Sequence, residues 1–251
     1  MFIAAAILLG LLFGSFFSVV KARVANPKEI IFSRSKCPKC HKTLGAFELI
    51  PILSFLLLRG KCRHCKESIS LRYPIFELVS ASLAVIVYFR FGFNVISILG
   101  FLSLGLFFVG AMLDYDENEV ELYLILSGIA LAVVFAILKD SSIQNLKNIL
   151  FGFVTAGILP FLLFAVSKER WMGLGDTFFA AWAGILVLFP GSVLAMFLSF
   201  LIGALYGIIK KKLDKKDDVH VAFAPFIFIA MLIVLIFGDN FINWYLKILG
   251  F

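Results

Sequence analysis

Two sets of side chains in this sequence are arranged in a way that could do chemistry: aspartates beside long apolar runs, and four cysteines in two doublets. Asp176 ends the tetrapeptide Gly173-Leu174-Gly175-Asp176, with Lys168, Glu169 and Arg170 upstream and an apolar run to Phe189 downstream. A carboxylate at the edge of an apolar segment is costly to desolvate and rare, so its default reading is functional. Two glycines ahead of it allow a tight turn and a close backbone approach to a partner. The competing reading is local, a helix start with an aspartate favoured by the helix dipole. A second carboxylate at the same depth would favour the first reading, and Asp114 supplies one.

Two carboxylates close together in a poorly solvated cleft cannot both ionise easily, and they share a proton. The ionised member can take a proton from water as it attacks a peptide carbonyl, while the neutral member donates to the developing oxyanion. Such hydrolysis needs no serine, cysteine or lysine nucleophile. Asp114 also begins an acidic run with Asp116, Glu117, Glu119 and Glu121. A run of this kind is commonly a solvated face, and spacing alone leaves both readings of Asp114 open. The same four acidic residues would attract a substrate segment carrying Lys or Arg.

The cysteines stand as Cys37-Pro38-Lys39-Cys40 and Cys62-Arg63-His64-Cys65, two C-x2-C knuckles that use every cysteine of the chain. This spacing suits a four-thiolate zinc site, closed by four sulfurs and therefore structural. Free thiols or reversible oxidation are the alternatives. His41 and His64 flank the knuckles and read as solvated rather than as ligands; His220 carries no usable signal.

The elements that must position these groups are read from composition. The chain is 62% hydrophobic, with 30 Phe in 251 residues and a mean hydropathy of +1.03. A water-soluble domain of this length would be far more polar, so the fold class is an all-α polytopic membrane protein. About eight transmembrane helices fit. Residues 1–20 form the first, with the wrong charge polarity for a secretory signal. Residues 21–73 form a small cytoplasmic zinc-binding loop domain, interrupted by an apolar piece, 47–58, too short to span. Residues 74–251 form a multi-span domain with spans near 74–89, 95–113, 122–138, 148–166, 177–190, 192–209 and 222–237.

Threaded from an outside N-terminus, this order puts 19 of the 23 Lys and Arg into cytoplasmic loops. The positive-inside rule supports that orientation. The charge of +7 is then a property of loops at a membrane surface, and nucleic acid is not an expected partner. Asp114 closes the third span and Asp176 opens the sixth, so both fall at the cytoplasmic face, 62 residues apart in sequence.

With these motifs together, the chain resembles the type IV prepilin leader peptidases, intramembrane aspartic peptidases with a GxGD signature. Gly173-Leu174-Gly175-Asp176 matches the signature, and Asp114 in Met112-Leu113-Asp114-Tyr115-Asp116 takes the place of the other catalytic aspartate. Phe13-Gly14-Ser15-Phe16-Phe17-Ser18-Val19-Val20 is similar to the family's N-terminal stretch. Residues 35–65, followed by Ile69-Ser70-Leu71-Arg72-Tyr73-Pro74 and Glu77, resemble its two-knuckle domain. Ala222-Phe223-Ala224-Pro225-Phe226 resembles its closing span. Three departures stand out. Ser18 occupies a usual Asn position, Val120-Glu121 an Ile/Leu-Pro pair, and Thr177-Phe178 a segment that often carries Lys.

The resemblance implies cleavage of a short basic leader from prepilins or pseudopilins after a glycine, at the cytoplasmic face of the inner membrane. Such proteins serve type IV pili and protein secretion. For many members it also implies N-methylation of the new terminus with S-adenosylmethionine, associated with the first loop. Two other classes fit parts of the sequence. A transporter would place charges near mid-span or break helices in matching halves, and here both aspartates fall at span ends with no convincing internal repeat. A scaffold would use the zinc loop for docking and leave the aspartates inert.

Overall fold

The computed structural model describes residues 2–214 and 221–248. Helices account for all regular structure among them, interrupted only by isolated bridges between Lys36 and Thr43 and between Lys61 and Ser68. By contacts the chain divides into two units, Met1–Ser97 and Ile98–Phe251, and the boundary drawn from sequence at 73/74 falls inside the first.

The first unit contains α1 (Phe2–Arg23), α2 (Pro27–Phe32), a 3₁₀ turn at Ala46–Glu48, α3 (Leu53–Leu57) and α4 (Arg72–Phe91). Helices α1 and α4 lie against each other along a seam of small residues. A Cβ at Gly10 would stand 2.5 Å from the Ala81 Cα, and one at Gly14 2.6 Å from the Glu77 Cα. Small side chains at one-turn spacing let apolar helices approach closely where lipid provides no hydrophobic drive. The apolar piece 47–58 becomes the 3₁₀ turn and five-residue α3, and Phe47, Leu56 and Leu57 remain exposed.

The second unit is built from α5 (Val95–Glu117), α6 (Leu122–Lys139), α7 (Ile143–Ser167), α8 (Leu174–Val187), α9 (Gly191–Asp214) and α10 (Ala224–Ile248). Every span expected from the sequence coincides with a helix. Seven helices among the described residues are long and apolar enough to cross a membrane. The eighth, α8, has only 14 residues. At 1.5 Å per residue it reaches about 21 Å, short of a ~30 Å hydrocarbon core. Its surroundings account for the difference. Every residue from Phe179 to Leu186 is buried, and a helix buried on all sides is shielded from lipid by its neighbours.

Trp182 anchors that core. Its ring centroid lies 4.6 Å from Phe107 and 6.0 Å from Phe179, and its Nε1–H donates to Ser103 Oγ at 2.9 Å. Ser103 in turn donates to the Gly128 carbonyl at 2.9 Å. Gly128 must be glycine because a Cβ there would run into the indole. Helices α7 and α8 touch backbone to backbone at Gly152 and Gly184. Gly184→Leu is therefore expected to lower stability by about 2 kcal/mol or more through overpacking. Gly207→Ala, where a Cβ meets nothing within 4 Å, should leave the unfolding temperature in detergent unchanged.

Candidate active site

Asp114 lies in the last full turn of α5, which ends when Asn118 adopts a left-handed conformation (φ 54°) and donates its N–H to the Asp114 carbonyl at 3.0 Å. The Asp114 carboxylate accepts the Ala224 N–H at 3.1 Å, at the first residue of α10. Asp176 occupies the first turn of α8, and its Oδ2 accepts the Gly173 N–H at 3.2 Å. Both carboxylates thus sit at the positive end of a helix, where an anion is favoured. The capping role weighed for Asp176 is real, but it leaves the outer oxygen of the group uncommitted to that bond.

Asp114 and Asp176 line one cavity of about 710 Å³. Gly173 and Gly175 line it as well, together with Asn118, Trp171, Phe179 and Phe200. The turn expected at the two glycines lies earlier in the chain. Gly173 is extended (φ −79°, ψ 157°), whereas Lys168 and Glu169 take the left-handed region at φ 51° and 69°. Gly175 faces open space, since a Cβ would meet nothing within 4 Å. Its bareness leaves room for another backbone beside Asp176.

Asp116, Glu117, Glu119 and Glu121 are all exposed, and none of them lines the cavity. Their chain neighbours Asn118 and Val120 do. Glu121 stands just before α6 with φ −62°, within the range that proline would enforce. The backbone angle survives the exchange of residue. Thr177 Oγ1 is buried without a hydrogen-bond partner. Sequence reasoning missed the Ala224 N–H as a partner of Asp114. The one trace of it was Pro225 directly after, in the helix-start position that proline favours. His220 lies outside the described residues.

In the first unit the sulfurs of Cys37, Cys40, Cys62 and Cys65 all lie within 4.8 Å of one another, with 3.8 Å between those of Cys37 and Cys65. A tetrahedron with Zn–S bonds of about 2.3 Å has edges near 3.8 Å, whereas a disulfide would bring sulfurs to about 2.05 Å. The two knuckles repeat one backbone pattern 25 residues apart. Cys37 N–H donates to Lys42 O and Cys62 N–H to Glu67 O, while His41 and Lys66 take φ 57° and 62°. Backbone N–H groups of Cys40 and Lys39 hold the Cys37 thiol down at about 7. At Cys65 the Glu67 N–H pulls downward too, but desolvation and the sulfurs of Cys62, Cys40 and Cys37 outweigh it and push the thiol up to about 11. Four sulfurs this close ionise together only around a cation. His64 instead approaches Glu48, at 3.9 Å. The residues fit structural zinc.

The class this defines is a multi-pass helical membrane protein with a two-carboxylate cavity in one unit and a four-thiol cluster in the other. Residues 8–91 match the family described as the Bacterial Peptidase A24 N-terminal domain, and residues 101–208 match the Type IV leader peptidase family. A "Prepilin leader peptidase/N-methyltransferase" of Bacillus subtilis (strain 168) is 33% identical over 247 residues, covering 95% of each chain. The protein of that name from Pseudomonas aeruginosa is 31% identical over 285 residues, covering all of this chain and 95% of its own. That from Neisseria gonorrhoeae is 30% identical over 276 residues, covering 96% and 93%. No solved structure matches. This chain belongs to the type IV leader peptidase family.

Proposed function

We propose that this protein removes the short basic leader from prepilins or pseudopilins, with Asp114 and Asp176 as the catalytic pair. The observation that carries the reading is that both carboxylates line one cavity although 62 residues separate them in sequence. One member of the pair, ionised, takes a proton from water as it attacks the scissile carbonyl. The other, neutral, donates to the oxyanion, and the proton then passes to the leaving amine. Each carboxylate is oriented by a backbone N–H, from Gly173 or Ala224, which holds both rigidly without consuming the proton they share. The proposed setting is the inner membrane with the N-terminus outside and the cavity facing the cytoplasm, in line with the loop charges.

The proposal includes methylation of the new N-terminus, supported by the second activity in the relatives' names. S-adenosylmethionine would supply the methyl group. Co-expression with a prepilin and mass measurement of the pilin N-terminus tests both activities at once. Loss of the leader mass supports the peptidase, and a further gain of one methyl supports the transfer. An uncut pilin would overturn the reading.

Two expectations follow from the charges. A pair sharing one proton gives a bell-shaped rate profile, rising as the first proton leaves and falling as the second does, with both apparent pKa values belonging to the pair. A single sigmoid with a plateau at high pH would point to a lone base. The exposed acidic run, for which we propose a substrate-attracting role, should matter electrostatically. Replacing Glu117, Glu119 and Glu121 with Gln should raise KM for a basic leader at low ionic strength and have little effect at high salt. Unchanged KM at low salt would remove that role.

A further inference from the structure

Glu77 has no part in the proposed hydrolysis, yet it is buried on α4, and its Oε2 accepts the Ile52 N–H at 2.7 Å. That bond fixes the level of the apolar piece 47–58 against the two long helices of its unit. Glu77 stands five residues past Arg72, the first residue of α4, so it lies about 8 Å in from that end. On α1 the same level is marked by Gly14, where a Cβ would stand 2.6 Å from the Glu77 Cα. Gly14 precedes Arg23, the last residue of α1, by nine residues, or about 14 Å. Ile52 is thus held beside the spans and not beyond their ends. With 20 residues α4 reaches about 30 Å, the thickness of a hydrocarbon core with nothing to spare. The start of α3 therefore falls where headgroups meet acyl chains.

The two sides of α3 differ. Ser54, Phe55 and Leu58, the last just past its end, line a cavity of about 430 Å³ together with Ser15, Ser18 and Val19 of α1. On the other side Leu53, Leu56 and Leu57 are 49%, 63% and 73% exposed. Ile75 and Leu78, near the level of Glu77 on α4, are exposed as well. Cations surround this apolar side in the sequence. Residues 21–73 carry twelve Lys and Arg against three Glu. Arg59 and Lys61 follow α3 directly and are exposed, as are Lys28 and Arg34, which flank the exposed Ile31 and Phe32. Apolar side chains edged by Lys and Arg at this depth suit an anionic lipid surface. A second copy of the loop would bring the same positive charge to the contact and be repelled.

We propose that α3 is a membrane-surface anchor: Leu53, Leu56 and Leu57 enter the acyl chains of the leaflet at the Arg23 and Arg72 ends of the spans, and Arg59 and Lys61 bind the phosphates of anionic phospholipids there. The anchor is independent of catalysis, since none of these residues lines the aspartate cavity.

Fluorescence of the full chain in nanodiscs tests this. Leu53→Trp and Leu57→Trp put a reporter on the exposed side, and Lys39→Trp, on the first knuckle, serves as the reference. The emission of Trp171, Trp182 and Trp244 is subtracted using the unsubstituted chain. Lipids brominated in the acyl chain quench by contact, so both leucine-site reporters should lose most of their emission while Lys39→Trp keeps most of its own. At equal mole fraction, brominated phosphatidylglycerol should quench Leu57→Trp more strongly than brominated phosphatidylcholine, with an enrichment of about fivefold for each basic residue engaged. Arg59→Gln combined with Lys61→Gln should remove most of that difference.

Zinc content equal to that of the unsubstituted chain verifies that each variant has folded its loop. Where a variant loses zinc, amide exchange in the unsubstituted chain decides. Residues 50–58 should exchange more slowly in nanodiscs containing phosphatidylglycerol than in phosphatidylcholine alone, and equal rates overturn the proposal. It is likewise overturned if Leu53→Trp and Leu57→Trp are quenched no more than Lys39→Trp, the result that water or a protein partner on this side would give. Equal quenching by the two lipids also overturns it.

Discussion

Asp114→Asn and Asp176→Asn are each expected to cut prepilin cleavage by roughly 10³-fold or more, the usual contribution of a positioned acid or base. The substitution is informative because it spares the structural duty of each group. An asparagine side chain still presents a carbonyl oxygen, so the Ala224 N–H at the start of α10 and the Gly173 N–H at the start of α8 keep an acceptor. What asparagine cannot do is lose or carry the shared proton. If the aspartates served only as helix caps, both variants would cleave at near the normal rate. Because the two act as one unit, the double variant should be little worse than either single one. Equal amounts of each protein in the membrane fraction, with cleavage measured by the shift in pilin mass, complete the test. Normal cleavage by either variant would overturn the proposed roles.

The second large effect is expected at the thiol cluster. The loop has little apolar core of its own, since no residue of α2, the 3₁₀ turn or α3 is buried. Cys37 and Cys62, 6% and 5% exposed, are among the few buried residues of this stretch, with Val24 and Pro51. In small domains of this kind the free energy of zinc binding, about 10–16 kcal/mol, is folding free energy. Cys37→Ser with Cys62→Ser should take the metal content from one zinc per chain to none and open the segment between α1 and α4 to proteases. His41→Ala and His64→Ala should retain the metal, because the four sulfurs already close a tetrahedron. A zinc-free double variant whose loop resists proteolysis as well as the unsubstituted chain would show that something else holds it together.

Much of this was legible in the sequence because its causes are local. An apolar run long enough to satisfy its own backbone in lipid has little choice but to be a helix, which is why each expected span coincides with one. The knuckles were equally legible, since a C-x2-C turn presents two sulfurs whatever surrounds it. The shortness of α8 was not. Its 14 residues are more apolar than most of the spans, and only the neighbours that bury Phe179 to Leu186 on every side reveal that lipid need not be crossed there. The glycines of the signature were likewise assigned a turn that Lys168 and Glu169 perform.

What the sequence alone determined was the inventory: helices in order, four thiols at zinc spacing, and two carboxylates each at the end of an apolar run. It could not determine that Asp114 and Asp176 line one cavity, or that Asp114 meets the first N–H of α10, 110 residues further on. Those facts depend on how α5, α8 and α10 pack, and Trp182, Gly128 and the Gly152–Gly184 contact set that packing through shape rather than spacing. Hydrophobicity and turn chemistry act on near neighbours and can be read along the chain. Meeting places between distant residues are fixed by steric fit, which exists only once the helices are together.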